Sequence, residues 1–148
     1  MGIGQVTIRR AIASDIGHLM VMARKEHERS RFSHIPFDDV KSEQSFKSAI
    51  DGLATAVFVS PSGFIAGMVQ PMLFCKFWNA YELAWFSEDG TGLELLKAFT
   101  QWAKDMRAID LIVHNYAGMV PSSRFNKVMK RKGFDTLGAA YVKTLGAI

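Results

Sequence analysis

The spacing of apolar residues near the amino end predicts a strand followed by a helix. Val6 and Ile8 alternate with polar neighbours, which is typical of a half-buried strand, and Ser14-Asp15 then provides a capping signal for a helix. The apolar residues that recur at helical spacing after this signal are Ile16, Leu19, Met20 and Ala23. We expect this stripe to face the protein core.

The middle of the chain predicts a loop, a second helix and three strands. The segment from Arg29 to Phe37 has no period and contains a proline, so we expect a loop, and Asp38 or Asp39 then begins a helix that ends at Gly52. Three segments rich in β-branched and aromatic residues follow, joined at first by a Pro-Ser-Gly turn: Ala54–Ser60, Phe64–Cys75 and Ala80–Phe86. Pro71 cannot donate to a ladder, so the second strand should carry a bulge or end near it.

The sequence pattern in the last third of the chain predicts two helices and three strands. The clearest helical pattern follows a loop with two glycines and contains Leu93, Leu96, Phe99, Ala103 and Met106. A short strand at Asp110–His114 and a helix from Ser122 or Ser123 to Gly133 should follow, with closing strands at Phe134–Leu137 and Ala139–Leu145. This order predicts an α/β fold, one mixed central sheet with helices on both faces, in a single domain over residues 1–148.

Composition narrows the class of protein. The 148 residues are 49% hydrophobic and 22% charged, which is too apolar for disorder, and no apolar run is long enough to span a bilayer. The only cysteine is Cys75 and the amino terminus does not resemble a signal peptide, so we expect a cytoplasmic protein without disulfides or a membrane anchor. The net charge of +4 is modest, so nucleic-acid binding through the basic helix at 124–132 is a low-ranking hypothesis.

The segment Ser87-Glu88-Asp89-Gly90-Thr91-Gly92 is a candidate anion site. It lies between a predicted strand and a predicted helix, where unpaired N–H groups and the positive helix end converge. Gly90 and Gly92 would let the backbone approach a diphosphate closely. A tight turn is the commoner role of two glycines at a helix start, and Glu88 and Asp89 would repel phosphate unless they point away from it.

Four segments in a fixed order strengthen this interpretation: Thr7–Ile16, Gly63–Met68, Gly90–Leu96 and Lys130–Phe134. They resemble the opening strand and turn, the x-G-x-I-V-G hairpin, the G-x-G-x-x-L-L helix start and the closing E-K-x-G-F of the Gcn5-related N-acetyltransferase superfamily. The resemblance covers essentially the whole chain. It implies the fold of that superfamily and acetyl-coenzyme A as co-substrate, bound in a cleft where two parallel strands separate.

The resemblance also implies which residues contact the two substrates. Residues 80–86 would line the pantetheine arm, and the backbone of residues 90–93 would hold the pyrophosphate. The positions implied for acetyl-coenzyme A are Ala84, Trp85, Phe86, Ser87, Asp89, Gly90, Thr91, Gly92, Leu93, Ser123 and Asn126. The acceptor amine would meet Glu28, Arg31 and Phe32, at the end of the first helix and in the following loop.

Two positions depart from the superfamily pattern. Ser87 stands where a Gln or Arg usually begins the loop, so phosphate binding would rest on the backbone alone. Met129 stands where many members carry a Tyr that protonates the leaving thiolate, so that acid is absent from this helix. These departures favour an alternative, a non-catalytic relative that keeps the fold as a binding or structural module.

The candidate catalytic residues are a carboxylate and two phenols. Glu82 is expected to share a strand face with Ala84 and Phe86 beside the thioester, where burial would raise its pKa and make it a base. A salt-bridged or outward-facing glutamate is an equally good interpretation. Tyr141 or Tyr116 could protonate the thiolate, although a packed aromatic residue is the commoner case.

The resulting hypothesis is an N-acetyltransferase that moves an acetyl group from acetyl-coenzyme A to a primary amine by direct attack. No spacing of Cys and His suits a metal site, and we expect none. His27 and His34 are interpreted as surface residues. Phe74, Phe77 and Trp78 could form the interface of a homodimer.

Overall fold

A computed structural model describes residues 7–114 and 122–146 of the chain. A single turn of 3₁₀ helix at Ala13–Asp15 precedes the first α-helix. Within these ranges, no helix combines the length and apolar character needed to cross a bilayer. The elements, in chain order, are β1 (Arg9–Arg10), α1 (Ile16–Arg29), α2 (Asp39–Asp51), β2 (Thr55–Ser60), β3 (Gly63–Pro71), β4 (Trp78–Ser87), α3 (Gly92–Asp105), β5 (Ala108–Ile112) and α4 (Ser122–Arg131).

The strands form one mixed sheet in the order β1-β2-β3-β4-β5. The first four strands pair antiparallel, and β5 pairs parallel to β4. A parallel pair needs a crossover, and α3 supplies it between β4 and β5. The predicted mixed sheet is therefore confirmed, and β3 ends at Pro71 as the missing N–H group of that residue requires.

Each face of the sheet carries its own apolar core, because side chains of β2 alternate between them. Ala56 and Phe58 pack in the core that α3 covers, and Val57 and Val59 pack in the core that α1 and α2 cover. Both faces being buried explains why β2 reads as a nearly continuous apolar run. The helices thus flank the sheet on both faces, as predicted.

An acidic residue lies directly before each of the first two α-helices. Asp15 accepts a hydrogen bond from the Ile12 N–H group at 2.8 Å and pairs with Arg9 at 2.7 Å, and the Arg9 guanidinium lowers the pKa of Asp15 to about 2. Asp38 accepts a bond from the Lys41 N–H group at 2.8 Å and caps α2. Helices α1 and α2 thus begin where the sequence indicates, and Asp38 caps its helix through its side chain whereas Asp15 closes the 3₁₀ turn before α1.

A β-bulge in β4 changes which side chains share a face. Ala66 pairs with Ala84 and Gly67 pairs with Glu82, so Leu83 is an additional residue in β4. Because Ala66 and Gly67 point to opposite faces, their partners Ala84 and Glu82 do so too. The expectation that Glu82 shares a face with Ala84 and Phe86 is therefore wrong, since strict alternation does not pass through a bulge.

The two closing strands predicted at Phe134–Leu137 and Ala139–Leu145 are also wrong. Helix α4 ends at Arg131, and Gly133 just beyond it has φ +86° and donates to the Lys130 carbonyl, while Phe134 donates to the Met129 carbonyl. From there to residue 146 the chain has no regular structure, and residues 135–146 are exposed. A strand pattern produces a strand only where a partner edge supplies the hydrogen bonds, and this segment pairs with no described strand.

Gly67 is expected to be intolerant of a methyl group. A Cβ atom there would overlap the Phe99 ring and the Tyr81 carbonyl oxygen, so Gly67→Ala should lower the free energy of unfolding by about 1–3 kcal/mol. Gly17→Ala is the matched control, because Gly17 is exposed on α1 and a Cβ meets nothing within 4 Å. That variant should gain about 0.5 kcal/mol. Urea unfolding of both variants measures the difference, and equal changes would contradict this packing.

Candidate functional site

A cleft opens where β4 and β5 separate. Their parallel ladder ends at the pair Tyr81 and Ile112, whereas β4 continues to Ser87. Beyond the last pair lies a cleft of about 760 Å³ that is lined by β4, α1, the loop before α3, and α4. The separation of two parallel strands that the resemblance implied is thus present in the structure.

Asp89 in the loop before α3 points into the protein. Its carboxylate accepts hydrogen bonds from the Ser62 N–H group at 2.8 Å, from the Ser60 hydroxyl at 2.9 Å and from the Ser87 hydroxyl at 3.0 Å. The Thr91 N–H group and hydroxyl also donate to it. Burial raises the pKa of Asp89, but these donors outweigh burial and hold the pKa well below its usual range.

Glu88, the other acidic residue of the loop, is held by helix α1. Arg29 Nη1 lies 2.6 Å from Glu88 Oε1, and Lys25 Nζ lies 3.2 Å from Oε2. These cations lower the pKa of Glu88, with the hydrogen bond from Lys25 contributing most. Neither Glu88 nor Asp89 is among the residues that line the cleft, so neither carboxylate faces the space that a phosphate would occupy.

The start of α3 presents backbone groups to the cleft. Ser87, Gly90, Gly92 and Leu93 line this end, and Gly90 has φ +76°, a left-handed conformation that favours glycine. The N–H groups in the first turn of a helix have no intrahelical acceptors and attract anions. Arg124 of α4 lines the same cleft and supplies a cation that the loop itself lacks.

Glu82 lies at the point where the strands separate. The residue is only 5% exposed, and its Oε2 accepts a hydrogen bond from the backbone N–H group of His114 at 3.0 Å. The His114 ring is close to Glu82 twice, with Nδ1 3.1 Å from the Glu82 carbonyl oxygen and 3.5 Å from Oε2. Burial raises the pKa of Glu82, and the contacts with His114 offset part of this rise.

Glu26 of α1 is a second carboxylate in the cleft. Burial raises the pKa of Glu26 to about 7, and the charge of Glu82 adds to the rise. A hydrogen bond with the backbone of Trp85 lowers the pKa and so opposes part of the rise. An acid with a pKa near neutrality can accept and release a proton under physiological conditions. The cleft therefore holds two interacting carboxylates with raised pKa values.

Aromatic side chains close the α1 side of the cleft. Phe32 and Phe37 line it, and the His27 ring packs against Phe37 with 5.4 Å between ring centroids. Hydrogen bonds within the loop hold this wall, since His27 Nε2 lies 2.6 Å from the Ile35 carbonyl oxygen and the Phe32 N–H group donates to Ser30 Oγ at 3.1 Å. His27 is thus part of the cleft, although the sequence favoured a surface role.

The structure brings most of the predicted site residues together. Those that line the cleft are Glu82, Ala84, Trp85, Phe86, Ser87, Gly90, Gly92, Leu93 and Phe32. Thr91 is buried, with its hydroxyl oxygen 2.9 Å from that of Ser60, so Thr91 and Asp89 stabilise the loop from its inner side.

Other predicted residues lie away from the lining. These are exposed and outside the set that forms the cleft wall: Glu28, Arg31, Ser123, Asn126 and Tyr141. Tyr141 is 95% exposed, because the closing strand expected to position it does not form. Tyr116 lies outside the described residues. The homodimer stays a prediction, with Phe74 92% exposed and Trp78 43% exposed.

Sequence reasoning missed Glu26, Phe37, His114 and Arg124. Glu26 directly precedes His27 and Glu28, which the sequence analysis did consider. It lies about one turn after Ala23, on the same face of α1 as the apolar stripe, and this position was the signal that it faces the interior. His114 ends a predicted strand, and the carboxyl ends of parallel strands are common sites of function. Nothing in the sequence marks Arg124 apart from the other basic residues of its helix.

The raised pKa of Glu26 predicts a pH-dependent stability. The folded protein holds this proton more tightly than the unfolded chain, so the associated stability is full below the ordinary pKa of 4.5 and is lost as pH rises through about 7. Glu26→Gln stays neutral, so its free energy of unfolding relative to the wild type should increase by about 1–3 kcal/mol between about pH 5 and about pH 8.

Urea unfolding of both proteins at the two pH values measures this change. Glu43→Gln, at an exposed position of α2, is the control and should show no such divergence from the wild type. Parallel pH profiles for Glu26→Gln and the wild type would show that Glu26 is not desolvated.

Comparisons with known proteins agree with this architecture. No protein-family model matches the sequence, and no curated protein matches it. Among solved structures, aminoglycoside N-acetyltransferase AAC(6')-Iy, in complex with the bisubstrate analog CoA-S-monomethyl-acetylneamine, has a TM-score of 0.74 at 12% identity, over 97% of this chain and 100% of that one.

Two further structures extend this likeness. Ribosomal-protein-alanine N-acetyltransferase from Brucella melitensis biovar Abortus 2308 gives a TM-score of 0.69 at 13% identity, over 95% of this chain and 99% of that one. The aminoglycoside acetyltransferase meta-AAC0020 from an uncultured soil metagenomic sample, in complex with sisomicin, gives a TM-score of 0.67 at 15% identity, over 95% of this chain and 97% of that one. At these identities the likeness establishes the fold.

Proposed function

We propose that this chain, which has the fold of the Gcn5-related N-acetyltransferases, transfers an acetyl group from acetyl-coenzyme A to a primary amine. The observation that carries the proposal is one continuous cleft with a helix start at one end and two carboxylates with raised pKa values near the strand separation. The first feature suits a diphosphate and the second suits an amine that must lose a proton.

The residues around the helix start fit the pyrophosphate of the coenzyme. Gly90 and Gly92 have no side chains to obstruct it, the first-turn N–H groups of α3 can donate to it, and Arg124 can pair with it. The ion pairs of Glu88 and the inward hydrogen bonds of Asp89 keep both carboxylates from opposing it. When bound, acetyl-coenzyme A supplies the activated acetyl group as a thioester.

The carboxylates provide the acid–base chemistry. A primary amine is protonated near neutral pH and attacks only after it has lost a proton, and a carboxylate with a raised pKa accepts that proton more readily. Glu82 is our candidate for the base, because His114 fixes its Oε2 at the strand separation. Glu26 lies close enough to Glu82 to influence it and can share the proton.

The binding half of this proposal predicts a specific effect of Gly90→Ala. Alanine disfavours the left-handed conformation at φ +76°, so the loop should shift and acetyl-coenzyme A affinity should fall by about tenfold. Gly133→Ala is the matched control, because Gly133 has φ +86° but does not line the cleft. Isothermal titration with acetyl-coenzyme A measures both variants.

Loss of affinity in Gly133→Ala as large as in Gly90→Ala would point to general destabilisation. If the wild-type protein shows no heat of binding with acetyl-coenzyme A up to millimolar concentrations, the proposed function is wrong. Thermal unfolding of each variant, recorded in parallel, confirms that the titrated protein is folded.

The catalytic half predicts that Glu82→Gln lowers kcat by about a hundredfold, because glutamine cannot accept the proton of the amine. The affinity for acetyl-coenzyme A should stay within about twofold of the wild type, since the substitution removes no donor from the helix start. Glu43→Gln on α2 should leave both quantities unchanged. A panel of primary amines with thiol detection gives kcat, and an unchanged kcat in Glu82→Gln would exclude it as the base.

A non-catalytic binding module is the second candidate function. Met129 occupies the position of the expected phenolic acid and is 7% exposed, packed in the core under α3. Binding of acetyl-coenzyme A without turnover of any amine in the panel would favour this second candidate.

A further inference from the structure

The part of the cleft next to α1 has a largely apolar wall. Phe32 and Phe37 from the loop after α1, Ala23 from the helix itself, and Leu83 and Ala84 from β4 line it. Phe32 is 37% exposed and Leu83 is 64% exposed, so both still present apolar surface that a ligand could cover. Such a wall favours an acceptor with an apolar body.

The acidic character of this wall is concentrated at one point. Among the described residues that line the cleft, Glu26 and Glu82 are the only acids. Burial raises the pKa of both carboxylates, and the charge of Glu82 adds to the rise at Glu26, so the two acids lie close to each other at this point of the cleft. One ammonium group can lie between these two neighbouring carboxylates, whereas a second ammonium group elsewhere in the cleft would be desolvated without a counter-charge.

Arginine side chains lie beside the aromatic rings of the cleft. The Arg24 guanidinium is 4.6 Å from the centroid of Phe37, the Arg31 guanidinium is 5.7 Å from that of Phe32, and the Arg29 guanidinium is 5.8 Å from that of Phe86. Each of these three rings therefore already has a cationic partner. A second ammonium group of a polyamine would compete with these arginine side chains for the same rings.

We propose that the acceptor is a primary monoamine with an apolar or aromatic body, bound with its ammonium group between Glu26 and Glu82 and its body against Phe32 and Phe37. This inference rests on the proposed function. It distinguishes the chain from the similar structures that are aminoglycoside acetyltransferases, because aminoglycosides carry several ammonium groups.

The test compares 2-phenylethylamine with 1,4-diaminobutane and neamine. Isothermal titration of each amine into the protein without coenzyme gives the affinities, and acetyl-coenzyme A turnover gives kcat/KM. We expect 2-phenylethylamine to exceed both polycations about tenfold or more in each quantity. Phe32→Ala should weaken 2-phenylethylamine binding about fivefold and leave the affinity for acetyl-coenzyme A within about twofold.

Phe74→Ala is the matched control, because Phe74 is equally aromatic but 92% exposed on the loop between β3 and β4. It should change neither affinity. Tighter binding or faster acetylation of neamine or 1,4-diaminobutane than of 2-phenylethylamine would overturn the inference while leaving acetyl transfer intact. Absence of acetyl-coenzyme A binding would instead overturn the proposed function, and the amine titrations would still report the preference of the cleft.

Discussion

The end of the parallel ladder between β4 and β5 is the constraint on which the site depends. Backbone groups of a strand need partners, and beyond Tyr81 and Ile112 the two strands no longer provide them for each other. Glu82 spans part of this opening. Its carboxylate accepts a hydrogen bond from the backbone N–H group of His114, and its backbone carbonyl oxygen lies 3.1 Å from Nδ1 of the His114 ring. One residue thus stabilises the opening and places a carboxylate inside it.

The bulge at Leu83 lies next to the point where α3 approaches β3 most closely, at Gly67. Helix α3 lies so close to β3 that the Phe99 ring occupies the space where a Cβ atom of Gly67 would lie. The bulge puts Glu82 opposite Gly67 and shifts the following residues by one position. As a result, Ala84 and Phe86 pack in the core under α1 and α2, while Glu82 stays at the strand separation.

The two carboxylates of the cleft are held in an environment that costs stability. Both have raised pKa values because burial disfavours their charged forms, and the charge of Glu82 raises the pKa of Glu26 further. Strain of this kind concentrates where a protein performs chemistry, since a well-solvated carboxylate would be a weaker base at neutral pH. The acids of the neighbouring loop show the opposite behaviour, because donors and cations surround Glu88 and Asp89 and lower their pKa values.

The sequence by itself determined the order of the elements from β2 to α3, because apolar periodicity, Pro71 and the capping residue Asp38 act locally. It also identified the glycine loop, whose conformation at Gly90 only glycine adopts easily. Tertiary structure decided the rest. Residues 134–145 form no strands, because no described strand edge pairs with them. The bulge at Leu83 places Glu82 and Ala84 on opposite faces of the sheet. Glu26 lines the cleft only because α1 packs across β4. Pairing, burial and electrostatic coupling join residues distant in the chain, so no local pattern encodes them.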